Sequence, residues 1–210
     1  MDQPGQGGQM PASPPPGGGM PSWTNNVTAR GTISGPGGVA LADLPDRIIA
    51  LVIDSIIIGV VGYVLSAILG GILTEDKATT VLGVVVGIGR GPSTIGQLIA
   101  VVLTLAASAG YFIYMWTRMG GATVGMRVMK LTVRDATSGG AISQSQAINR
   151  WLALGAAQGL GYLYWAFGTI GFIISLVVLG YYIYLLMTTA QSPTRQGWHD
   201  KFAKTVVAKG

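Results

Sequence analysis

From Arg47 to Leu73 the chain is apolar with one interruption, Asp54. As a helix rising 1.5 Å per residue, such a segment is about 40 Å long, enough to cross a hydrocarbon core of about 30 Å with some tilt. Pro45 stands just ahead of it, where a missing N–H is harmless in a first helical turn. A second stretch, Ser93 to Thr117, and a longer one, Trp151 to Thr194, contain no charge at all. Charged residues make up 10% of the 210, against about 25% in soluble domains. Mean hydropathy is +0.52. That is too little charge to cover a surface facing water. The expected fold is an all-α membrane protein: a bundle of about four transmembrane helices, near residues 47–73, 93–117, 145–166 and 169–189. Gly168, Thr169 and Gly171 permit the break between the last two; the third is short of purely apolar residues, so it either spans or only half-enters the bilayer.

Residues 1–40 are of another kind, with ten glycines, seven prolines and two charges, Asp2 and Arg30. Such a composition cannot bury enough apolar area to offset the entropy of ordering, so a disordered tail is expected, with residues 41–210 as the membrane domain. The tail lacks the basic and apolar regions of a secretory signal. Its proline runs fit a solvated extension or a polyproline II docking arm. Asn26-Val27-Thr28 matches a glycosylation acceptor, which has no meaning on a cytoplasmic tail.

Between the first two spans, Thr74-Glu75-Asp76-Lys77 ends the helix. Residues 81–89 are apolar but too short to span, which predicts an interfacial or re-entrant segment. Gly87, Gly89 and Gly91 resemble a phosphate loop only loosely, with no Lys-Ser/Thr to complete it. Beyond the second span, Met126 to Arg134 alternates with the two-residue period of a strand. Asp135–Gly140 supplies turn residues, and Ser143 is placed to cap a following helix. Five cations (Arg118, Arg127, Lys130, Arg134, Arg150) against Asp135 put this loop on the cytoplasmic side, as do Arg195, Lys201, Lys204 and Lys209 for the C-terminus. Both termini are then cytoplasmic, in a plasma membrane.

Asp54 is the costly residue. A carboxylate at a bilayer centre costs about 2.5–3.5 kcal/mol on insertion scales. It must face the bundle interior, a wet cavity or a cation. Arg47, seven residues earlier, shares its helix face about 10 Å away. Two roles fit Asp54: a working polar site tuned by Arg47, or a pin that hydrogen-bonds neighbouring spans. Asp200 could pair with Arg47 or Arg150, and His199 titrates near neutrality, so it is either a proton relay or simply solvated. Gly62, Ser66 and Gly70, and Gly155 with Gly159, allow close helix approach within one chain or between copies.

These residues carry a resemblance. Arg47-Ile-Ile-Ala-Leu-Val-Ile-Asp54 resembles the opening motif of the RDD family, named for one arginine and two aspartates. Gly121-Ala-Thr-Val-Gly-Met-Arg127 is similar to that family's Gly-Ala-Thr-Pro-Gly-Lys-Arg segment, with Val124 and Met126 as departures. Arg150 matches an arginine of the next helix. His199-Asp-Lys-Phe-Ala-Lys-Thr-Val-Val207 resembles its closing run, with Lys204 in place of glycine. The resemblance covers about 43–208 and makes Arg47, Asp54 and Asp200 the name-giving residues. It implies a multi-pass membrane protein of mostly unassigned role, with transport, including cation/proton exchange, suggested for some members. It also gives the strand-like segment a partner: residues 126–134 and 204–209 would form a small cytoplasmic sheet. The tail is similar in composition to extensions on actinobacterial membrane proteins.

Two functions remain open: transport or exchange of a small ion or solute at Asp54, Arg47 and Asp200, with His199 and Arg150 as secondary members, or an accessory subunit held together by the same residues. A four-span transporter would need to oligomerise, and no inverted repeat is visible. An enzyme is not expected, for want of a nucleophile–base pair or a nucleotide motif. With no cysteine and one histidine, neither a metal nor a cofactor is expected. The expected partners are the lipid bilayer and a second copy or another membrane protein. Nucleic acid is not, since a pI near 9.6 reflects inward-facing loops.

Overall fold

The computed structural model describes residues 34–160 apart from Gly83, together with Phe167 and residues 169–210. Helix α1, Leu44–Ile72, opens on Asp43 with Pro45 in its first turn. At 1.5 Å per residue it is about 43 Å long. It leads into a hairpin of β1, Thr74–Val81, and β2, Val84–Pro92. Helix α2, Thr94–Arg118, returns; the Ser93 hydroxyl accepts from Gly96 N–H at its N-terminus. The short α3, Val124–Val128, precedes β3, Leu131–Asp135. Next come α4, Gln144–Leu154, and α5, Ala156–Leu160. Then follow α6, Thr169–Ala190, α7, Trp198–Phe202, and β4, Thr205–Lys209.

Among the described residues, α1, α2 and α6 are long and apolar enough to cross a membrane. Only 11% of the most apolar window of α6 is buried, and its outward side chains include Ile170, Val177 and Leu179. Aliphatic surface of that extent needs lipid around it. The segment expected as a third span differs from the other three. Its first part, α4, is amphipathic: Ala147, Arg150 and Ala153, three apart, are buried on one face. Residues 161–166 lie outside the described ones.

Two expectations are corrected. Residues 81–89 are not a re-entrant segment but part of a hairpin in which Val81 pairs with Val84 and Thr74 with Pro92. β-branched Val84-Val85-Val86 and the glycines after them favour extended backbone over a short helix. In the second case, Met126–Arg134 is not one strand. Thr123 caps α3 with its hydroxyl on Met126 N–H, and the helix holds the chain until Lys130, at φ +56°, turns it into β3. The side-chain alternation is real over Leu131–Val133 alone, where Leu131 and Val133 are buried.

The small sheet does form. β3 and β4 pair antiparallel, Leu131 opposite Lys209 and Asp135 opposite Thr205. Leu41 bridges to Ala208, and Ala42 N–H donates to Val207 O at 2.9 Å. Ser34, expected in the tail, bridges back to Ala40, and residues 40–42 run along β4 and lead straight into α1. The Asn26 acceptor sequence and the proline runs lie outside the described residues. Val133 and Val207 are almost fully buried in one core with Phe112 and Trp116 of α2, while Val206 is buried with Leu41 and Ala136. The sheet therefore ties the start of α1, the end of α2 and the C-terminus into one end of the bundle.

Candidate functional site

Two polar clusters are buried at the sheet end of the bundle. The first is built on Asp54, 3% exposed, on α1. Its Oδ2 accepts from the Thr123 hydroxyl at 2.5 Å. Its Oδ1 accepts from the Tyr111 hydroxyl at 2.7 Å and from Gly125 N–H at 2.9 Å. Tyr111 in turn accepts from Val124 N–H. The carboxylate thus receives donors from α2 and from the first turn of α3, where otherwise unsatisfied N–H groups point outward. The close approach depends on Gly125: a Cβ there would lie 2.1 Å from Ala50 O. Gly121 makes the preceding turn at φ +82°.

The second cluster centres on Asp200, which is fully buried. Arg47 Nη1 donates to its Oδ2 at 2.6 Å, Arg150 Nη1 donates to its Oδ1, and Gly197 N–H donates to Oδ2 at 3.1 Å. Arg150 also donates to the Thr205 hydroxyl at 2.7 Å and lies over the Trp116 ring, 5.4 Å from its centroid. His199 Nε2 is 3.5 Å from Asp200. Burial raises the Asp200 carboxyl, but the surrounding cations, Arg150 foremost, outweigh it and hold the group well below the ordinary carboxylate range. Burial pushes His199 down to about 4, with Asp200 opposing and the two arginines assisting. The imidazole is therefore neutral at pH 7, not solvated as an exposed histidine would be.

The five residues singled out in the sequence thus meet in two groups, not one. Arg47 does not hold Asp54. Ten ångströms along α1 is beyond ion-pair reach, and the guanidinium turns instead to Asp200, 153 residues away. Asp200 takes both arginines where the sequence left a choice. The sequence reading overlooked Tyr111, Thr123, Gly125 and Thr205 as partners. Thr123 and Gly125 were visible within the Gly121–Arg127 segment; nothing local marks Tyr111 or Thr205. Lys204, which stands where the resembled pattern has glycine, lies at φ +53°, the left-handed region that glycine enters freely.

A cavity of about 270 Å³ joins the two clusters. Asp54 and Thr123 of the first cluster and Arg47, Arg150 and His199 of the second all line it. Leu51, Leu154, Tyr182 and Leu186 make most of its wall apolar. Such a space can hold a small ligand against buried charge. No group of three or more metal-ligating side chains occurs among the described residues.

The family model described as RDD family matches residues 41–204. No curated protein and no solved structure matches the chain. The matched region holds the whole Asp54 cluster and, in the Asp200 cluster, everything but Thr205. The apolar helices agree with it, and the chain is a multi-pass integral membrane protein that belongs to the RDD family.

Proposed function

We propose that the protein moves a small ion or solute across the membrane, with the cavity between α1, α4 and α6 as its binding site and Asp54 as the carboxylate that engages or couples to the cargo. The observation that supports this most is that one cavity touches both buried charge clusters. Charge is expensive in the bilayer and tends to mark ion and substrate pathways. The topology follows the same reading: both termini are cytoplasmic in a plasma membrane, α4 and α5 belong to a fourth passage, and the working unit is an oligomer. A second reading, a non-transporting accessory subunit, is favoured by one observation, the three donors that already occupy Asp54. A carboxylate so engaged also serves as a pin between α1, α2 and α3.

Flux separates the two. The purified chain in proteoliposomes, under imposed sodium, potassium or proton gradients, is expected to move solute, and Asp54→Asn to abolish that movement while keeping its thermal unfolding transition. A folded native protein with no flux under any gradient would establish the accessory reading instead.

A further inference from the structure

The charges of the Asp200 cluster do not balance. Arg47 and Arg150 bring two permanent positive charges, since a guanidinium does not lose its proton in proteins, and Asp200 returns one negative. Arg195 is occupied elsewhere, paired with Asp43. Asp54, the other anion of the cavity, lies two turns further along α1 and is bound by its own three donors. The sheet end of the cavity is therefore locally cationic by one charge.

Its donors are also incompletely used. Arg47 Nε and Nη2 and Arg150 Nε are buried and meet no acceptor among the described residues. The side chains of Arg47 and Arg150 are 10% and 3% exposed, and both line the cavity. Buried polar groups are rarely left without a partner, and a guanidinium edge with free N–H groups presents two donors to one oxyanion. Apart from Asp54, Thr123, Thr189 and His199, the rest of the wall is aliphatic or aromatic. It is also open at the side: Val52 is exposed, and Leu51, Tyr182 and Leu186 are half-buried, so the cavity reaches the lipid-facing surface between α1 and α6.

We infer that this end of the cavity binds an amphiphilic monoanion, a single carboxylate or phosphate head on a short apolar body, entering from the lipid between α1 and α6. The head lies against Arg47 and Arg150, and the body against Leu51, Leu154, Tyr182 and Leu186. At about 30 Å³ per water-sized group, the space takes roughly nine such groups, which fits a chain of about eight carbons. A freely water-soluble anion would gain nothing from the apolar wall, and a neutral amphiphile nothing from the excess charge. This names the chemical class of the solute and rests on the preceding reading of the cavity as a binding site, but not on transport.

The test uses the full chain in phosphatidylcholine nanodiscs and carboxyl-¹³C octanoate, titrated by NMR. One saturable site per chain is expected, with no displacement by octanol. Arg47→Gln cancels the local charge excess and is expected to weaken binding by about tenfold to a hundredfold, the loss of one hydrogen bond to a charged group. Leu51→Trp fills the apolar part and leaves every charge in place. It should weaken binding by at least about tenfold, and it decides the matter if Arg47→Gln fails to fold. Displacement of octanoate on adding phosphatidylglycerol would identify a lipid headgroup as the source of the anion; indifference to it would identify the free acid. An absence of saturable binding to the native chain, or equal binding by native chain and Leu51→Trp, overturns the inference. Cation flux without octanoate binding leaves the transport reading standing and removes this one; binding without flux does the reverse.

Discussion

Replacing Asp200 by Asn keeps its shape and removes its charge. Arg47, Arg150 and Gly197 N–H all donate to the carboxylate, and it has no exposure to solvent. Without it two guanidinium groups remain buried with no counter-charge. Breaking one partner of a buried ionic group costs about 3–5 kcal/mol. For a chain of this size each kcal/mol moves the unfolding midpoint by about 2–4 °C, so a fall on the order of 10 °C is expected. The assay is thermal unfolding of the purified protein in an uncharged maltoside detergent, followed by tryptophan fluorescence. Adding Arg150→Gln returns the cluster to its native excess of one positive charge. The double variant is therefore expected to recover part of the loss, with a coupling of about 0.5–3 kcal/mol. A fall under about 1 kcal/mol for Asp200→Asn, or two losses that simply add, would refute the view that this carboxylate is the counter-charge of both arginines.

Two further outcomes are expected. Gly125→Ala places a methyl carbon 2.1 Å from the Ala50 carbonyl oxygen, backbone against backbone, so α3 must shift and loosen its hold on Asp54; a loss of at least about 3 kcal/mol, or no folded protein, would be read from the same unfolding curves. His199 gives a pH dependence: burial opposes the charged imidazole, so as pH falls from about 6.5 the unfolded chain takes up a proton that the folded one resists until about 4. Stability should drop by about 3 kcal/mol over that window and be unaffected by His199 above it. His199→Gln should flatten the upper part of the curve, between about pH 6.5 and 5, and an unchanged slope there would show that His199 is not the group responsible. Below about pH 4 the protonation of Asp200 adds a separate loss, because its folded-state value is depressed.

What could be read from the chain itself was local. Apolar length placed α1, α2 and α6 within a few residues, because hydropathy over about twenty positions decides whether a helix can lie in lipid. Ser93 and Ser143 marked helix starts, since a hydroxyl satisfies N–H groups only two or three positions on. The cost of burying a carboxylate singled out Asp54 without any knowledge of partners, while Arg47 and Asp200 were marked by register, by possible pairing and by the family resemblance.

Tertiary structure alone decided who meets whom. Helical register put Arg47 and Asp54 on one face, but register says nothing about a flexible guanidinium that finds a better acceptor on α7. Alternation in Met126–Arg134 pointed to one strand; packing overruled it, because Gly125 lets α3 settle on the Ala50 backbone and Asp54 binds its first turn. Valines 84–86 and their glycines were apolar enough for the membrane, yet they pair across a hairpin whose partner strand begins at Thr74. In each case the outcome depends on groups brought together from distant parts of the chain, and a carboxylate or guanidinium goes to the donors or acceptors that leave the fewest of its atoms buried and unpaired.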